Sequence, residues 1–220
     1  MQYKADQPAW QAILEFWFPE GRALHIDAAM HQNHWRWRMH GGADSDITAR
    51  FLAITAQAAT GELDHWASGP EGRLALIIVQ DQFSRSAWRD SARAFAQDTT
   101  ALAWAIEGLA NGHYTALPTP WFKIVYSQPL GHCEGPDHLD RLDLLIQLRE
   151  AIAAEAPPPL QDIYQSLVRQ AHDVRQVIAA FGRHPHRNRL LGRPSTPEEE
   201  AYIAQGRFPH VRAFGGATES

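Results

Sequence analysis

From Leu160 to Phe181 the residues Leu160, Ile163, Leu167, Ala171, Val174, Ile178 and Phe181 recur at steps of three and four, and Gly182 follows at once. That spacing draws one apolar stripe along a helix. A glycine just past the stripe supplies the left-handed residue on which helices commonly end. A helix this long, polar on one side, must bury its apolar face against another element.

The partners on offer are other helices. Trp10, Ile13, Leu14 and Trp17 repeat the pattern and stop at Phe18-Pro19. Asp44-Ser45-Asp46 caps a face made by Ile47, Phe51, Ile54 and Ala58. Asp90-Ser91 opens a stripe through Ala92, Phe95, Leu102, Ile106 and Leu109 that ends at Asn111-Gly112. Asp137 heads another, with Leu139, Leu142, Leu145, Ile146 and Ile152 inward, and Pro157 to Pro159 end it. Thr196-Pro197-Glu198-Glu199 reads as a capping box with proline at the first helical position.

The run Leu74 to Val79 is continuous and apolar, so its period is hidden. No convincing second strand exists to pair with it, and a lone strand leaves its backbone groups unsatisfied. Helix is therefore expected. If it continues, Asp81 and Gln82 fall on the buried side four residues after Ile77 and Ile78, and the Asp81 carboxylate needs a partner such as Arg85, Arg89 or a later arginine.

With 45% hydrophobic and 20% charged residues the chain can fill a core, and its eight tryptophans suit a thick aromatic one. A net charge of −5 argues against general nucleic-acid binding, which needs a positive field. One cysteine, Cys133, excludes an internal disulfide framework and a cysteine-rich zinc site. Met1 to Asp6 carry no secretory apolar region, and no apolar run is long enough to span a bilayer. The expectation is one cytoplasmic, all-α domain over residues 1–214, with about eight to ten helices stacked as antiparallel pairs and a flexible tail at 215–220.

Chemistry concentrates in four places. Arg183 to Arg193 holds four arginines, His184, His186 and Asn188 in a Gly/Pro-punctuated loop, and guanidinium forks there suit carboxylates or phosphates. Asp81, Gln82 and Arg85 form the second place, His132 with Glu134 the third, and His172 on the long helix the fourth. His132, Glu134, His172 and Asp81 would make a chemically sensible zinc, iron or manganese set, although the spacing lacks the paired histidines of a helical zinc motif. His132 and Glu134 could also pair as base and orienter. Against every such reading stands a structural one, in which the arginines bond internally to Asp81, Glu134 or helix-end carbonyls and pin the loop.

Four strings, Asp81-Gln82-Phe83-Ser84-Arg85, Arg93 to Asp98, Pro129-Leu130-Gly131-His132-Cys133-Glu134 and Phe181 to Asn188, resemble in that order the motifs of the bacterial domain-of-unknown-function family numbered nine hundred and twenty-four. The resemblance covers nearly the whole chain. It implies a fold similar to tetratricopeptide-repeat proteins and brings no activity, substrate or cofactor. Ser84, His184 and Cys133 depart from the family's usual Pro, Phe and Ser.

The leading expectation is a small anionic ligand, or an acidic peptide end, at a pocket made from Asp81, Gln82, Arg85, Arg183, His186, Arg187, Asn188 and Arg193. The alternatives are a hydrolase-like enzyme using His132, Glu134 and His172, with or without a metal, and a protein-binding scaffold.

Overall fold

The run from Leu74 to Val79 is helical, and its surroundings show why. In the computed structural model, which describes residues 9–23, 26–206, 208 and 209, every regular element is a helix. They are α1 (Ala9–Trp17), α2 (Ala28–Met39), α3 (Asp44–Ala59), α4 (Pro70–Ile77), α5 (Ser84–Ala87), α6 (Asp98–Ala110), α7 (Pro120–Ser127), α8 (Pro129–His132), α9 (His138–Glu155), α10 (Gln161–Phe181) and α11 (Pro197–Ala204). A π-helical turn, Ile78–Phe83, joins α4 to α5, and Gln128 joins α7 to α8 in helical backbone. Residues 70–87 and 120–132 are thus two continuous rods, and the described residues form nine helices. The tail expected at 215–220 lies outside the described residues.

The rod 70–87 is the hub, with α1, α3, α6 and α7 packed on α4 or on the π turn. Leu74 to Val79 are each wholly buried because helices cover the rod on every side. Trp17, Phe51 and Phe83 meet there in tilted and edge contacts with Phe16. The expected aromatic core is present: Trp17, Trp66 and Trp121 are buried, and Trp10, Trp35, Trp37 and Trp104 pack against it.

The α9–α10 hairpin is an antiparallel pair. Asp143 bonds Arg175 far from the connecting turn, while Arg149 reaches the Leu167 carbonyl nearer to it. Leu130, Leu142, Leu145, Val174 and Ile178 form a small apolar cluster between this hairpin and α8. Gly182 ends α10 in the left-handed conformation (φ 69°), and Thr196 and Glu199 make the capping box of α11.

One boundary differs from the sequence reading. The stripe from Asp90 is not helical throughout: Ser91 caps a 3-10 turn at Ala92–Phe95, and α6 starts only at Asp98. Asp90 itself takes a positive φ of 61°, which no helix tolerates.

Close approach explains Gly72. A Cβ there would overlap the backbone carbonyl oxygen of Trp66 in the preceding 3-10 turn. Gly72→Ala gains about 1 kcal/mol of helix propensity but must displace a backbone oxygen, at about 3 kcal/mol for an overpacked contact. A net loss of about 2 kcal/mol is expected in urea unfolding, and an unchanged midpoint would refute the packing account.

A buried ion cluster closes the N-terminal half. Arg38 donates to both Glu20 carboxylate oxygens at 2.7 and 2.8 Å and to the Trp17 carbonyl at 2.9 Å. His31 and His34 lie 3.3 and 3.4 Å from the same carboxylate, and Tyr164 bonds the far side of His31 at 3.1 Å.

Candidate functional site

The π turn is where the hub helix becomes polar. All six of its residues, Ile78 to Phe83, are buried, as are the six before them in α4. Such turns are frequent at functional sites. Asp81 has no exposed surface and Gln82 almost none, as the sequence reading expected.

Asp81 is fully engaged. His132 Nδ1 lies 2.9 Å from both its oxygens, Gln82 donates to it, and Arg85 Nη1 stands 3.1 Å away. Burial alone would raise its pKa, but Arg85, His132 and Gln82 together hold it well below the usual carboxylate range. A carboxylate accepts only, so His132 donates from Nδ1. Burial, with the Arg85 charge, pushes His132 down despite Asp81, so it is neutral at neutral pH.

Asp98, at the start of α6, ties two distant arginines. Arg85 Nη2 donates to one oxygen at 2.9 Å and Arg187 Nη1 to the other at 3.0 Å. The Phe95 ring underlies both guanidinium groups, 5.6 and 4.5 Å from its centroid. Asp81 and Asp98 thus balance Arg85 and Arg187 charge for charge.

The late loop divides into two parts. Arg183 grips Glu199 with two bonds of 2.7 Å, Asn188 adds a third to that carboxylate, and Arg193 pairs with Glu134, which also accepts the His184 backbone N–H at 2.7 Å. This part is a clasp joining loop, α11 and the segment after α8. Arg187 and His186 instead turn toward the α6 and π-turn side.

There they line a pocket of about 370 Å³ together with Gln82, Arg85 and His132. Trp35, Phe95, Leu145, Val174 and Phe208 supply apolar wall. Burial, reinforced by the neighbouring cations Arg187 and Arg85, pushes His186 down to about 3, so it is neutral. Of the residues expected at the site, Gln82, Arg85, His186 and Arg187 converge here with His132, and Asp81 stands directly behind His132. Arg183, Asn188 and Arg193 belong to the clasp. Glu134 is held by Arg193 rather than by His132, and His172 is exposed on α10 beside Asp143. The four side chains weighed as metal ligands therefore do not gather, and no group of three or more His, Cys, Asp or Glu able to hold a metal exists among the described residues. Cys133 is buried against Thr99 and the Glu134 carbonyl, and burial raises its thiol pKa, which makes it a poor nucleophile.

Residues 13–207 match the model of a family described as "Bacterial protein of unknown function (DUF924)". The chain belongs to this family. A solved structure of a protein of unknown function from Agrobacterium tumefaciens is similar over 90% of this chain and 97% of its own, at 30% identity and a TM-score of 0.65. Comparison with curated proteins finds no match. No helix among the described residues is long and apolar enough to cross a membrane.

Family membership confirms the resemblance and leaves the pocket's chemistry to be argued from its residues. Two residues of the site, Asp98 behind its arginines and Arg149 on its wall, are not among those the sequence singles out as site residues. Asp98 reads as an ordinary acidic residue in the first turn of a helix. Arg149 is the other: it follows Leu142, Leu145 and Ile146 and precedes Ile152, so it occupies an inward slot of the α9 stripe where an apolar residue belongs. That misfit was a usable signal. Arg149 is 6% exposed and lines the pocket.

Proposed function

We propose that this protein binds a small organic anion in the pocket between the π turn, the late loop and the α9–α10 hairpin. One observation carries the reading: Arg85 and Arg187, from segments a hundred residues apart, meet with His132 and His186 in one pocket that Trp35, Leu145, Val174 and Phe208 also line. Ligand pockets have this make-up, mostly apolar with a few convergent polar groups. Guanidinium groups already fixed by Asp98 are preorganised donors, which lowers the entropy cost of ordering them around a ligand.

A thermal-shift panel of inorganic phosphate, sulfate and short carboxylic acids tests this. A member present at about a hundred times its Kd should raise the midpoint by about 5–10 °C, and His186→Ala should abolish the rise. A panel that leaves the wild-type midpoint unmoved would refute the reading.

The enzyme alternative keeps one specific support. His132 is oriented by Asp81, in place of Glu134, on the wall of the same pocket, an arrangement that suits a general base. If turnover of an ester or phosphoester is found, its rate should fall as pH drops through the His132 pKa and should vanish in His132→Ala. Turnover that survives that substitution would remove the support.

A further inference from the structure

The pocket has two polar walls, and only one of them carries unbalanced charge. On the π-turn side Arg85 and Arg187 are matched by Asp81 and Asp98, and Arg89 pairs with Asp44. On the hairpin side stands Arg149. Its Nη1 donates to the Leu167 carbonyl at 2.7 Å and to Gln170 Oε1 at 3.3 Å, both neutral acceptors, and no carboxylate among the described residues pairs with it. Its Nε has no hydrogen-bond partner among them. Burial lowers its pKa to about 10 with no carboxylate opposing the shift. An arginine keeps its proton at neutral pH even so.

A buried, uncompensated charge is expensive, and Arg149 returns little structural value for it. The Leu167 carbonyl lies within α10, where the helix already supplies a donor. Gln170 is anchored separately through its amide, which donates to the Pro209 carbonyl at 2.6 Å. Apolar side chains share the pocket with Arg149: Leu145, Ala171, Val174 and Phe208 line it as well.

We infer that Arg149 is the anion anchor of the pocket, and that the ligand is a carboxylic acid with an apolar body: its carboxylate takes the guanidinium fork of Arg149, and its body lies against Leu145, Val174 and Phe208. This deepens the anion-binding reading above and rests on it. A guanidinium fork matches a carboxylate in two parallel bonds, and the apolar wall gives a bare inorganic anion nothing to bury.

The test uses the full chain, wild type beside Arg149→Met and Arg149→Lys, with hexanoate, phenylacetate and inorganic phosphate as probes in thermal shift and calorimetry. Hexanoate or phenylacetate should bind the wild type. Arg149→Met should lose that binding while its own unliganded midpoint rises by about 2–4 °C, because an unpaired buried charge has been replaced by an apolar chain. Arg149→Lys should fold and bind about tenfold more weakly, having charge but no fork. An Arg149→Met protein that melts lower than wild type, or does not fold, would show a structural tie and overturn the inference. Undiminished carboxylate binding in that variant would also overturn it, while leaving an anion site at Arg85 and Arg187 standing. Wild type that binds phosphate but neither acid rejects the ligand class alone, and wild type that binds none of the probes rejects the anion-binding reading with it.

Discussion

Asp98→Asn is expected to cost about 3–5 kcal/mol, the range for removing one partner of a buried ion pair. The change is nearly isosteric, so the loss is electrostatic. It strips Arg187, which is 3% exposed, of its only direct carboxylate bond among the described residues, and among them it leaves Arg85 with Asp81 alone. Burial already pulls the Arg187 pKa down, and Asp98 is the main group opposing that shift. Total stabilities of such domains are about 5–15 kcal/mol, so the variant should melt about 10 °C or more below wild type. Adding Arg187→Met should restore part of the loss, because the orphaned charge leaves with its partner. If the double variant is no more stable than Asp98→Asn, the ion pair is not the source of the effect.

The second large effect concerns Glu20, whose side chain is wholly buried beside Arg38, His31 and His34. Burial alone would raise its pKa, but His31 and Arg38 overcome this and bring it from 4.5 to about 2. A carboxylate with a depressed folded-state pKa stabilises the protein above its unfolded pKa and loses that contribution as pH falls through the folded value. The Glu20 cluster should therefore contribute about 3 kcal/mol at neutral pH and surrender it between pH 4.5 and about 2. Glu199, brought to about 2 chiefly by Arg183, adds to the loss in the same window. Glu20→Gln should be less stable than wild type by about 3 kcal/mol or more at pH 7, and the gap should close as pH falls toward 2. Urea midpoints across that range give both numbers, and a gap independent of pH would exclude the titration of Glu20 as its origin.

The fold was legible because its signals are local. The stripes of α1, α3 and α10, the Gly182 terminator and the Thr196 capping box each lie within a few consecutive residues. The helical state of Leu74 to Val79 followed from the lack of a second strand. Placing Asp81 and Gln82 inside needed only the helix to continue, although the burial of all six residues of the π turn is a tertiary outcome. The start of α6 was misplaced because Phe95 fits the stripe of a helix it does not belong to, and nothing in Asp90 announces a positive φ.

The site was legible only in its parts list. Arg85, His186 and Arg187 could be named, but which carboxylate each arginine meets depends on contacts across as many as 89 residues. Hence Arg183 and Arg193, indistinguishable from Arg187 by sequence, became the clasp with Glu199 and Glu134. Asp98 ends one of the four strings that carry the family resemblance, but nothing local shows that it ties two arginines. Arg149 had a local signature, an arginine in the apolar slot of α9, and it was overshadowed by the richer loop at Arg183 to Arg193.

The π turn at Ile78–Phe83 has a consequence for how this sequence can vary. Geometrically it is an α-helix carrying one residue too many, so a one-codon deletion there restores regular winding without breaking the rod. Because the turn takes up its extra residue locally, the helix on either side keeps its phase, and what the deletion changes is which side chains of residues 78–83 face the interior. Substitutions along the rod can be sampled one at a time, whereas any single-residue deletion between 78 and 83 trades a smoother helix for a shifted set of inward side chains, Asp81 and Gln82 among them.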